Sequence, residues 1–378
     1  MHQPVSKIFV LLCLFLFPYY NYSQPNRQTA IWYFHNWSGL DFNSGEPQVL
    51  NDGKVGDDNY SGSAAICDTN GSLLFYTDGM VIYGSDHGIM YDMTTTGKYP
   101  GTQTSVIIPK PGSNSIYYAF FVNWWWPDVG NDGHPLYYVT IDMDLNQGYG
   151  AVIGNDTIWQ CWDAADKLTA VYHKNKHDIW VLTRKYETDY FAAIPVTDEG
   201  VITDNIVLSP APEIDVELSD FYYQGYMKVS YDKEFLFTNF QAFHSHPRDI
   251  EVCTFSATTG EINYLYAFNL RDKIPPNRLS VVCGLEFSPD SKFLYVPAFV
   301  GLDSCCYVYQ YDMSLIHDST SFFNSFIEVG IGEGQTIQLA SNGKIYLSES
   351  HWDGTEHLGV INKPWLRGTD CDYQEDAI

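Results

Sequence analysis

Basic residues are scarce in this chain, which has 20 lysines and arginines against 46 aspartates and glutamates over 378 residues. The resulting formal charge is −26 at pH 7. A surface of that sign repels phosphate backbones and anionic lipid headgroups. The composition therefore argues against nucleic acid as a partner and favours a well-solvated extracellular surface, with attraction of cations or basic partners as the alternative.

Apolar runs long enough to cross a bilayer are also missing. The run Ile8–Phe17 follows Lys7 and is shorter than the roughly 20 residues that a membrane-spanning helix needs. A positive residue before a short apolar run is typical of a secretory signal peptide, so we predict that residues 1–23 are a signal. Cys13 lies inside the run rather than after small residues, which favours a soluble export signal over a lipoprotein signal. We therefore expect a secreted or cell-surface protein without membrane insertion after cleavage.

Recognisable catalytic motifs are absent: there is no G-x-S-x-G, no H-E-x-x-H, no phosphate-binding glycine loop and no dinucleotide fingerprint. His244 and His246 are spaced to point the same way on extended chain, but no third ligand stands at a clear spacing, and an ordinary polar loop is the alternative. The run Asp142-Met143-Asp144-Leu145-Asn146 resembles the start of a calcium loop, yet the EF-hand pattern fails further on. We predict no cofactor, with weak calcium binding left open.

Cysteine usage gives no metal or redox motif, because no C-x-x-C is present. Removal of the signal leaves an odd number of cysteines, so at least one thiol stays unpaired in an exported protein. Adjacent Cys305 and Cys306 fit either a vicinal bridge or two separately buried thiols. The mature cysteines are Cys67, Cys161, Cys253, Cys283, Cys305, Cys306 and Cys371.

Aromatic residues, in contrast, make up 16% of the chain, which favours β structure. The stretch Ala64–Gly79 predicts a hairpin, with a two-residue Asn-Gly turn at Asn70-Gly71 and a second strand at Leu73–Thr77. That second strand begins with four consecutive apolar residues, which indicates that both of its faces are covered.

Similar hairpins recur with turn residues at Asn70, Asn114, Asn175, Asp232, Asp290 and Asn342. Each unit offers about four strands in roughly 40–60 residues, which is typical of a propeller blade. We predict an all-β fold, a β-propeller of six or seven four-stranded blades of WD40 or YVTN type, formed by residues 24–378 as one domain. A large β-sandwich is the alternative. The segment Ile31–Phe42 predicts a strand that could close the ring by pairing with the other chain end.

The blocks Trp32–Phe42 and Ala64–Gly79, followed by Gly101–Ser105, Tyr138–Met143 and Gln338–Tyr346, carry a resemblance to a known family. They resemble the N-terminal propeller-like region of large secreted Bacteroidota proteins that usually end in a gliding-motility-type, type IX secretion sorting domain. The resemblance implies a secreted or cell-surface location and brings no catalytic residues. Family members continue beyond this region through a further strand and repeat modules. The predicted domain is therefore either a fragment that stops before its closing strands or a natural short form.

Five tryptophans are the candidate ligand-binding residues. Three of them stand together in the loop 123–135, and two follow in the next connection. Exposed indole faces stack on sugar rings and cations, whereas burial between blades is the alternative role. The five are Trp124, Trp125, Trp126, Trp159 and Trp162.

These patterns favour a non-catalytic recognition or adhesion scaffold that binds glycan or extracellular protein through loops on one face. The alternatives are a glycan-processing hydrolase or lyase acting at the central channel, and a structural spacer. An enzyme would show convergent carboxylates or histidines near the axis, with a strongly perturbed pKa among them. A binding protein would instead show an aromatic shelf at the rim.

Overall fold

The computed structural model describes residues 27–34, 37–56, 62–94, 98–125, 136–157, 164–185, 189–213, 224–240, 249–270, 280–282, 284–300, 306–332, 334–350 and 356–378. Within them the chain is almost entirely β, with one short α-helix, α1 (Ser319–Asn324). Single 3-10 turns occur at Arg27–Thr29, Asn146–Gly148, Met313–Leu315 and Gly368–Cys371.

The strands form six hydrogen-bonded sheets, one of them with nine strands. Because a single parallel pairing of Gln103 with Lys167 joins the two halves of that sheet, we divide it into two blades, which gives seven units in chain order: an N-terminal sheet of three strands and blades 1 to 6. The N-terminal sheet comprises β1 (Ile31–Phe34), β2 (Ser38–Asp41) and β3 (Gln48–Leu50), and blade 1 comprises β4 (Ala64–Cys67), β5 (Leu73–Thr77), β6 (Val81–Gly84) and β7 (Ile89–Asp92). Blade 2 comprises β8 (Lys98–Pro109), β9 (Ile116–Trp125), β10 (Leu136–Asp142) and β11 (Ala151–Thr157). Blade 3 comprises β12 (Ala164–Tyr172), β13 (Ile179–Lys185), β14 (Tyr190–Thr197), β15 (Gly200–Val201) and β16 (Val207–Pro210). Blade 4 comprises β17 (Met227–Val229), β18 (Phe235–Asn239), β19 (Ile250–Phe255) and β20 (Ile262–Phe268). Blade 5 comprises β21 (Ser280–Val282), β22 (Glu286–Phe287), β23 (Phe293–Val300), β24 (Cys306–Asp312) and β25 (Ile327–Gly332). Blade 6 comprises β26 (Gly334–Leu339), β27 (Ile345–Ser350), β28 (Glu356–Ile361) and β29 (Tyr373–Gln374).

Each blade is an antiparallel meander from an inner to an outer strand, as predicted. In blade 3 the outer position is shared by β15 and β16, which both pair with β14. In blade 5 the inner position is shared by β21 and β22, which both pair with β23. The β-propeller prediction is confirmed.

The predicted hairpin at Ala64–Gly79 is present, but its turn is not the two-residue form. The Asp68 nitrogen donates to the Ser72 carbonyl oxygen and the Gly71 nitrogen donates to the Asp68 carbonyl oxygen, and only Gly71 has a positive φ, of 93°. A three-residue loop of this kind ends in a left-handed glycine. The carboxylate of Asp68 accepts hydrogen bonds from the backbone nitrogens of Asn70 and Ser72, which favours this loop over the shorter turn.

The N-terminal sheet completes the ring, but not by pairing with the other end of the chain. Its strands pair only with one another, whereas the C-terminal β29 pairs with β28 in blade 6. The prediction of a strand shared between the two chain ends is therefore wrong for the described residues. Instead, Leu40 and Phe42 pack against blade 6, and Tyr33 stacks on Tyr76 of blade 1 with ring centres 4.4 Å apart.

The core consists of apolar layers between neighbouring units rather than one central cluster. Blades 1 and 2 share one layer, and each following pair of blades up to 5 and 6 shares another. The last two layers join blade 6 to the N-terminal sheet and that sheet to blade 1. Seven layers thus link seven units into a closed ring. This arrangement explains why central strands are apolar on both faces, since each blade buries both of its surfaces.

The two rims of the ring differ. At the turn rim, every first-to-second strand connection of blades 1 to 6 is closed by a side-chain oxygen that accepts from the backbone, as Asn175 does from His177 and Asp178. We call the opposite rim, where second strands lead to third strands and each blade leads to the next, the loop rim. Its connections vary from residues 78–80 to residues 211–226. The oxygens that close the turns belong to Asp68, Ser113, Asn175, Asp232, Asp290 and Asn342.

Candidate functional site

The inner strands of blades 2 and 3 bulge toward the axis near the loop rim. In β8, residues 101–104 lie between the paired positions Pro100 and Ser105, while the partner strand β9 has one residue over the same length. In β12, residues 165–167 lie opposite Arg184 alone. Such bulges bend a strand and redirect its side chains, and they are frequent beside active sites. Here they bring the two strands together in a single parallel pairing of Gln103 with Lys167.

The bulged segments connect blades that are not neighbours. The Thr102 hydroxyl of blade 2 accepts a hydrogen bond from the Gly225 nitrogen and donates to the Gly225 oxygen, at 2.8 and 2.9 Å, just before the inner strand of blade 4. The Gln103 side chain accepts from the Met227 nitrogen at 2.7 Å. Gly225 has φ +145°, and a Cβ there would overlap the carbonyl oxygen of Asn239. Glycine at position 225 leaves room for this close contact, which lets the inner strands of blades 2 and 4 meet at the axis.

Asp166 lies in the centre of this arrangement. Its side chain is 2% exposed, and its Oδ2 is so close to Gly101 that a Cβ at that glycine would overlap it. Its Oδ1 has no hydrogen-bond partner among the described residues. Burial raises the pKa of Asp166 to about 7, with the neighbouring Lys167 opposing the shift. The carboxyl group therefore changes charge close to neutral pH.

Lys167, the next residue, points into the interface between blades 3 and 4. Its Nζ donates to the Asn239 carbonyl oxygen at 2.6 Å and lies 3.7 Å from the centre of the Phe240 ring. Burial lowers the pKa of Lys167, and the nearby Arg184 lowers it further, while Glu251 and Asp166 act in the opposite direction. The fully buried Lys167 amine thus contacts one carbonyl oxygen and one aromatic face, and two carboxyl groups nearby favour its charged form.

Arg184 forms the second cationic centre of the same interface. It is fully buried and makes an ion pair with Glu251 of blade 4 and a hydrogen bond to the Pro212 carbonyl oxygen. Its Nε has no partner within the described part of the chain. We define the axial cluster as Thr102, Asp166, Lys167, Arg184, Glu251 and Asn239.

A separate carboxylate connects the inner strands on the other side of the ring. Glu286 of blade 5 is fully buried and accepts from the Lys228 ammonium at 2.7 Å and the Leu339 nitrogen at 2.8 Å. The Tyr231 hydroxyl and the Phe287 nitrogen donate to its other oxygen. Four donors satisfy this carboxylate, so it connects blades 4, 5 and 6 rather than offering a free base.

Chemically, the axial cluster combines an acid that titrates near neutrality with two buried cations. An unsatisfied carboxyl oxygen and an unsatisfied guanidinium nitrogen are suited to a small polar ligand or an ordered water. Among the described residues, no group of three or more histidines, cysteines or acids is arranged to hold a metal ion.

The predicted tryptophan site is only partly within the described residues. The backbone of Trp124 and Trp125 forms the end of β9, where these residues pair with Tyr99 and Lys98 of β8. Trp126, Trp159 and Trp162 lie outside the described residues, as do His244 and His246. Thus β9 ends at the loop rim, and the indole groups remain a prediction.

The acidic run at residues 142–146 forms a connection on the turn rim. The Asp142 carboxylate accepts from the Asp144 nitrogen at 3.0 Å, and Asn146 and Gln147 both have left-handed backbone conformations. Asp142 therefore closes this connection with its own carboxylate. The weak calcium possibility stays a prediction.

Three of the mature cysteines are buried free thiols: Cys67, Cys253 and Cys371. Burial raises the pKa of Cys67 and Cys371 to about 11 and raises that of Cys253 further. Thiols with such pKa values are protonated and unreactive at neutral pH. Cys305 lies outside the described residues, so the vicinal bridge to Cys306 is not tested.

Sequence reasoning did not nominate the axial cluster. One signal was available, since Asp166 and Lys167 interrupt the largely apolar strand β12, and Arg184 follows an apolar run in β13. A charge in the middle of a buried strand must find a partner. The partners, however, lie far away along the chain, and only the ring brings them together.

No family model and no curated protein matches the chain. Similar solved structures include a protein from Lactobacillus plantarum, with 11% identity over 85% of this chain and 90% of that one and a TM-score of 0.44. The β-propeller domain of Cps50 (Swd1) from Myceliophthora thermophila has 9% identity over 89% and 96%, with a TM-score of 0.45. A DUF4623 family protein from Bacteroides eggerthii has 12% identity over 80% and 66%, with a TM-score of 0.35. Such distant likenesses say nothing about activity.

Proposed function

We propose that this protein is an extracellular recognition scaffold that binds glycan or protein through the loop rim. The observation that carries the proposal is the uneven length of the connections on a rigid ring. The first-to-second strand turns of all six blades are short and closed by their own side chains, while the loop-rim connections vary widely; the third-to-fourth strand connections of the turn rim also vary, from residues 198–199 to residues 313–326. A rigid frame that carries variable loops is the usual arrangement of a binding protein.

The closed ring supports this proposal because it fixes where the loops begin. Seven apolar layers hold the strand ends, and the buried axial cluster joins blades 2, 3 and 4 directly beneath the loop rim. Loops that start from fixed points lose less conformational entropy when they bind. The tryptophans at the end of β9 and beyond would supply aromatic faces for sugar rings.

The location is part of the proposal. The predicted signal at residues 1–23 and the acidic composition are consistent with export. The family resemblance adds a secreted or cell-surface role in Bacteroidota, with type IX secretion in its longer members. Within the described residues no helix is long and apolar enough to cross a membrane.

A glycan-array screen of the mature chain, with and without calcium, tests the binding function. We expect saturable binding that W124A or W126A weakens at least tenfold without lowering the melting temperature. W365A is the matched control, because Trp365 lies in the turn-rim connection between β28 and β29 and is 36% exposed. A blank array together with no protein captured at the loop rim would refute the proposal. Loss of stability rather than binding in W124A would assign that tryptophan to packing.

One observation favours a second candidate, an enzyme acting at the axis. A carboxyl group with a pKa of about 7 retains a transferable proton at neutral pH, as a general acid requires. If the protein hydrolyses or cleaves a glycan, D166N should abolish turnover while binding on the array persists. Unchanged turnover in D166N would remove Asp166 from the chemistry.

A further inference from the structure

A basic and aromatic surface lies on the turn rim, on the side opposite the axial cluster. We define the lysine patch as Tyr172, Lys174 and Lys176 of blade 3 together with Lys233 of blade 4. The Lys233 ammonium lies 5.9 Å from the centre of the Tyr172 ring, and that tyrosine is 39% exposed. Lys174 and Lys176 are exposed, so the patch is accessible to solvent.

The blade 3 turn is fixed against blade 4. The Lys174 nitrogen donates to the Ala257 carbonyl oxygen at 2.9 Å. The His173 ring nitrogen Nε2 lies 2.9 Å from the Thr258 carbonyl oxygen. These bonds hold the blade 3 turn, with Lys174 and Lys176, against the third-to-fourth strand connection of blade 4, and Lys233 approaches the same surface through its contact with the Tyr172 ring.

The charges of this patch are unusual for so acidic a chain. Lys176 and Lys174 are close enough to lower the pKa of Lys233, after the larger effect of its burial. None of the three lysines forms an ion pair with a described residue, whereas Lys228 and Lys344 pair with Glu286 and Glu46. Three ammonium groups without carboxylate partners repel one another, which costs stability unless a ligand neutralises them.

Nearby carboxylates have other partners. Asp178 accepts from the Asn175 side chain at 2.7 Å. Asp232 accepts from the Ser230 hydroxyl and from the Glu234 nitrogen. Asp178 and Asp232 are therefore bound within their own turns, whereas Glu234, next to Lys233, is exposed.

The backbone conformation of two lysines in this patch is also unusual. Each first-to-second strand turn of blades 1 to 6 has one left-handed residue, which is glycine in blades 1, 2 and 6. In blades 3 and 4 this position is Lys176 and Lys233, with φ of 61° and 65°. Lysine is uncommon there, because its Cβ makes the conformation less favourable than it is for glycine. Two lysines thus occupy positions where local structure favours glycine.

We propose that the lysine patch binds an acidic polysaccharide, of the kind that has a carboxylate on successive sugar rings. A chain of this type can place carboxylates against several ammonium groups at once, which adds charge-assisted hydrogen bonds. The Tyr172 ring supplies an apolar face for one sugar. A flat anionic membrane or a nucleic acid would extend its dense charge across the rest of an acidic surface and be repelled.

This site is independent of the proposed function, because it lies on the opposite rim and uses none of the tryptophans. The experiment measures binding of the mature chain to polygalacturonate, with neutral dextran as the uncharged polymer. The test variant is K174A/K176A/K233A. The matched control is K54A/K292A/K363A, which removes the same charge from surface positions elsewhere, where the ion pairs of Lys292 and Lys363 are solvent-exposed.

We expect wild type and control to bind polygalacturonate and not dextran, and the test variant to bind at least tenfold more weakly. Binding of the wild type should weaken as salt is raised, and the test variant should show a smaller salt dependence. Equal losses in test and control variants, or no wild-type binding, would overturn the proposal. Binding to anionic lipid vesicles or to DNA in preference to polygalacturonate would also overturn it.

The role of the tyrosine is tested by two substitutions. Y172F keeps the ring and should retain binding, whereas Y172A should weaken it several-fold. Melting temperatures of both variants separate a folding defect from a binding defect. Equal binding by Y172F and Y172A, with both folded, would contradict stacking on Tyr172.

Discussion

Substitution of Asp166 by asparagine should change the pH dependence of stability in a defined direction. Burial raises the pKa of this carboxyl group from 3.8 to about 7. The folded protein therefore holds the proton more tightly than the unfolded chain does. The neutral acid contributes its full stability below about pH 4, and the contribution is lost as the pH rises through 7.

The magnitude follows from the size of the shift. Each pKa unit corresponds to about 1.4 kcal/mol, so the complete loss is about 4 kcal/mol, of which roughly 2–3 kcal/mol falls between pH 5 and pH 8. D166N has no titrating group at this position and should lack that component. Asp166 also raises the pKa of Lys167, so the difference between the two proteins includes the change that D166N makes to the titration of Lys167.

Urea unfolding at pH 5, 6, 7 and 8 measures the effect. The stability of D166N relative to wild type should rise by roughly 2–3 kcal/mol across that range, whatever constant offset the amide introduces. D204N is the control, because Asp204 is exposed, and its curve should run parallel to that of wild type. Parallel curves for wild type and D166N would refute the reasoning.

Three further predictions concern how the ring is held together. R184M should cost about 3–5 kcal/mol in urea unfolding because it leaves Glu251 buried without its cation, and R184M/E251L should recover most of that loss. G225A should destabilise the fold by more than about 1–3 kcal/mol, since it adds an overlap with a carbonyl oxygen to the strain of a positive φ. G45A, where φ is also positive at +94° and an added Cβ meets open space, should show the strain only. L40A should cost about 2–5 kcal/mol if the layer between the N-terminal sheet and blade 6 closes the ring, and a melting temperature equal to that of wild type would contradict closure there.

The structure gives a mixed answer on the features that would distinguish an enzyme from a binding protein. The axis has one carboxyl group with a strongly raised pKa, which an enzyme would need, but Asp166 is only 2% exposed. The other axial carboxylate, Glu286, is satisfied by four donors. Turnover in D166N, measured beside array binding, separates the two functions.

The sequence by itself determined the blades, because hairpin formation is local. The side-chain oxygen of an Asp, Asn or Ser close to each strand end closes the turn. A largely apolar run such as Leu73–Thr77 indicates that both faces of the strand are buried. These interactions span two to five residues, so they are visible in any printed sequence. The six predicted hairpins are present, and the seventh unit, within the predicted range of six or seven blades, is the sheet of β1 to β3, which lacks that hairpin spacing.

The axial cluster was decided by the tertiary structure. Thr102 and Gly225 are 123 positions apart, and Lys167 reaches a carbonyl 72 positions away. No local pattern encodes such pairs, since they depend on the rotation between blades and on bulges that push two inner strands to the axis. The same closure places Lys174 and Lys233 on one surface although they belong to different blades. Local hydrogen bonding made the blades predictable from the sequence, whereas the geometry of the ring alone determined which charged residues lie close together.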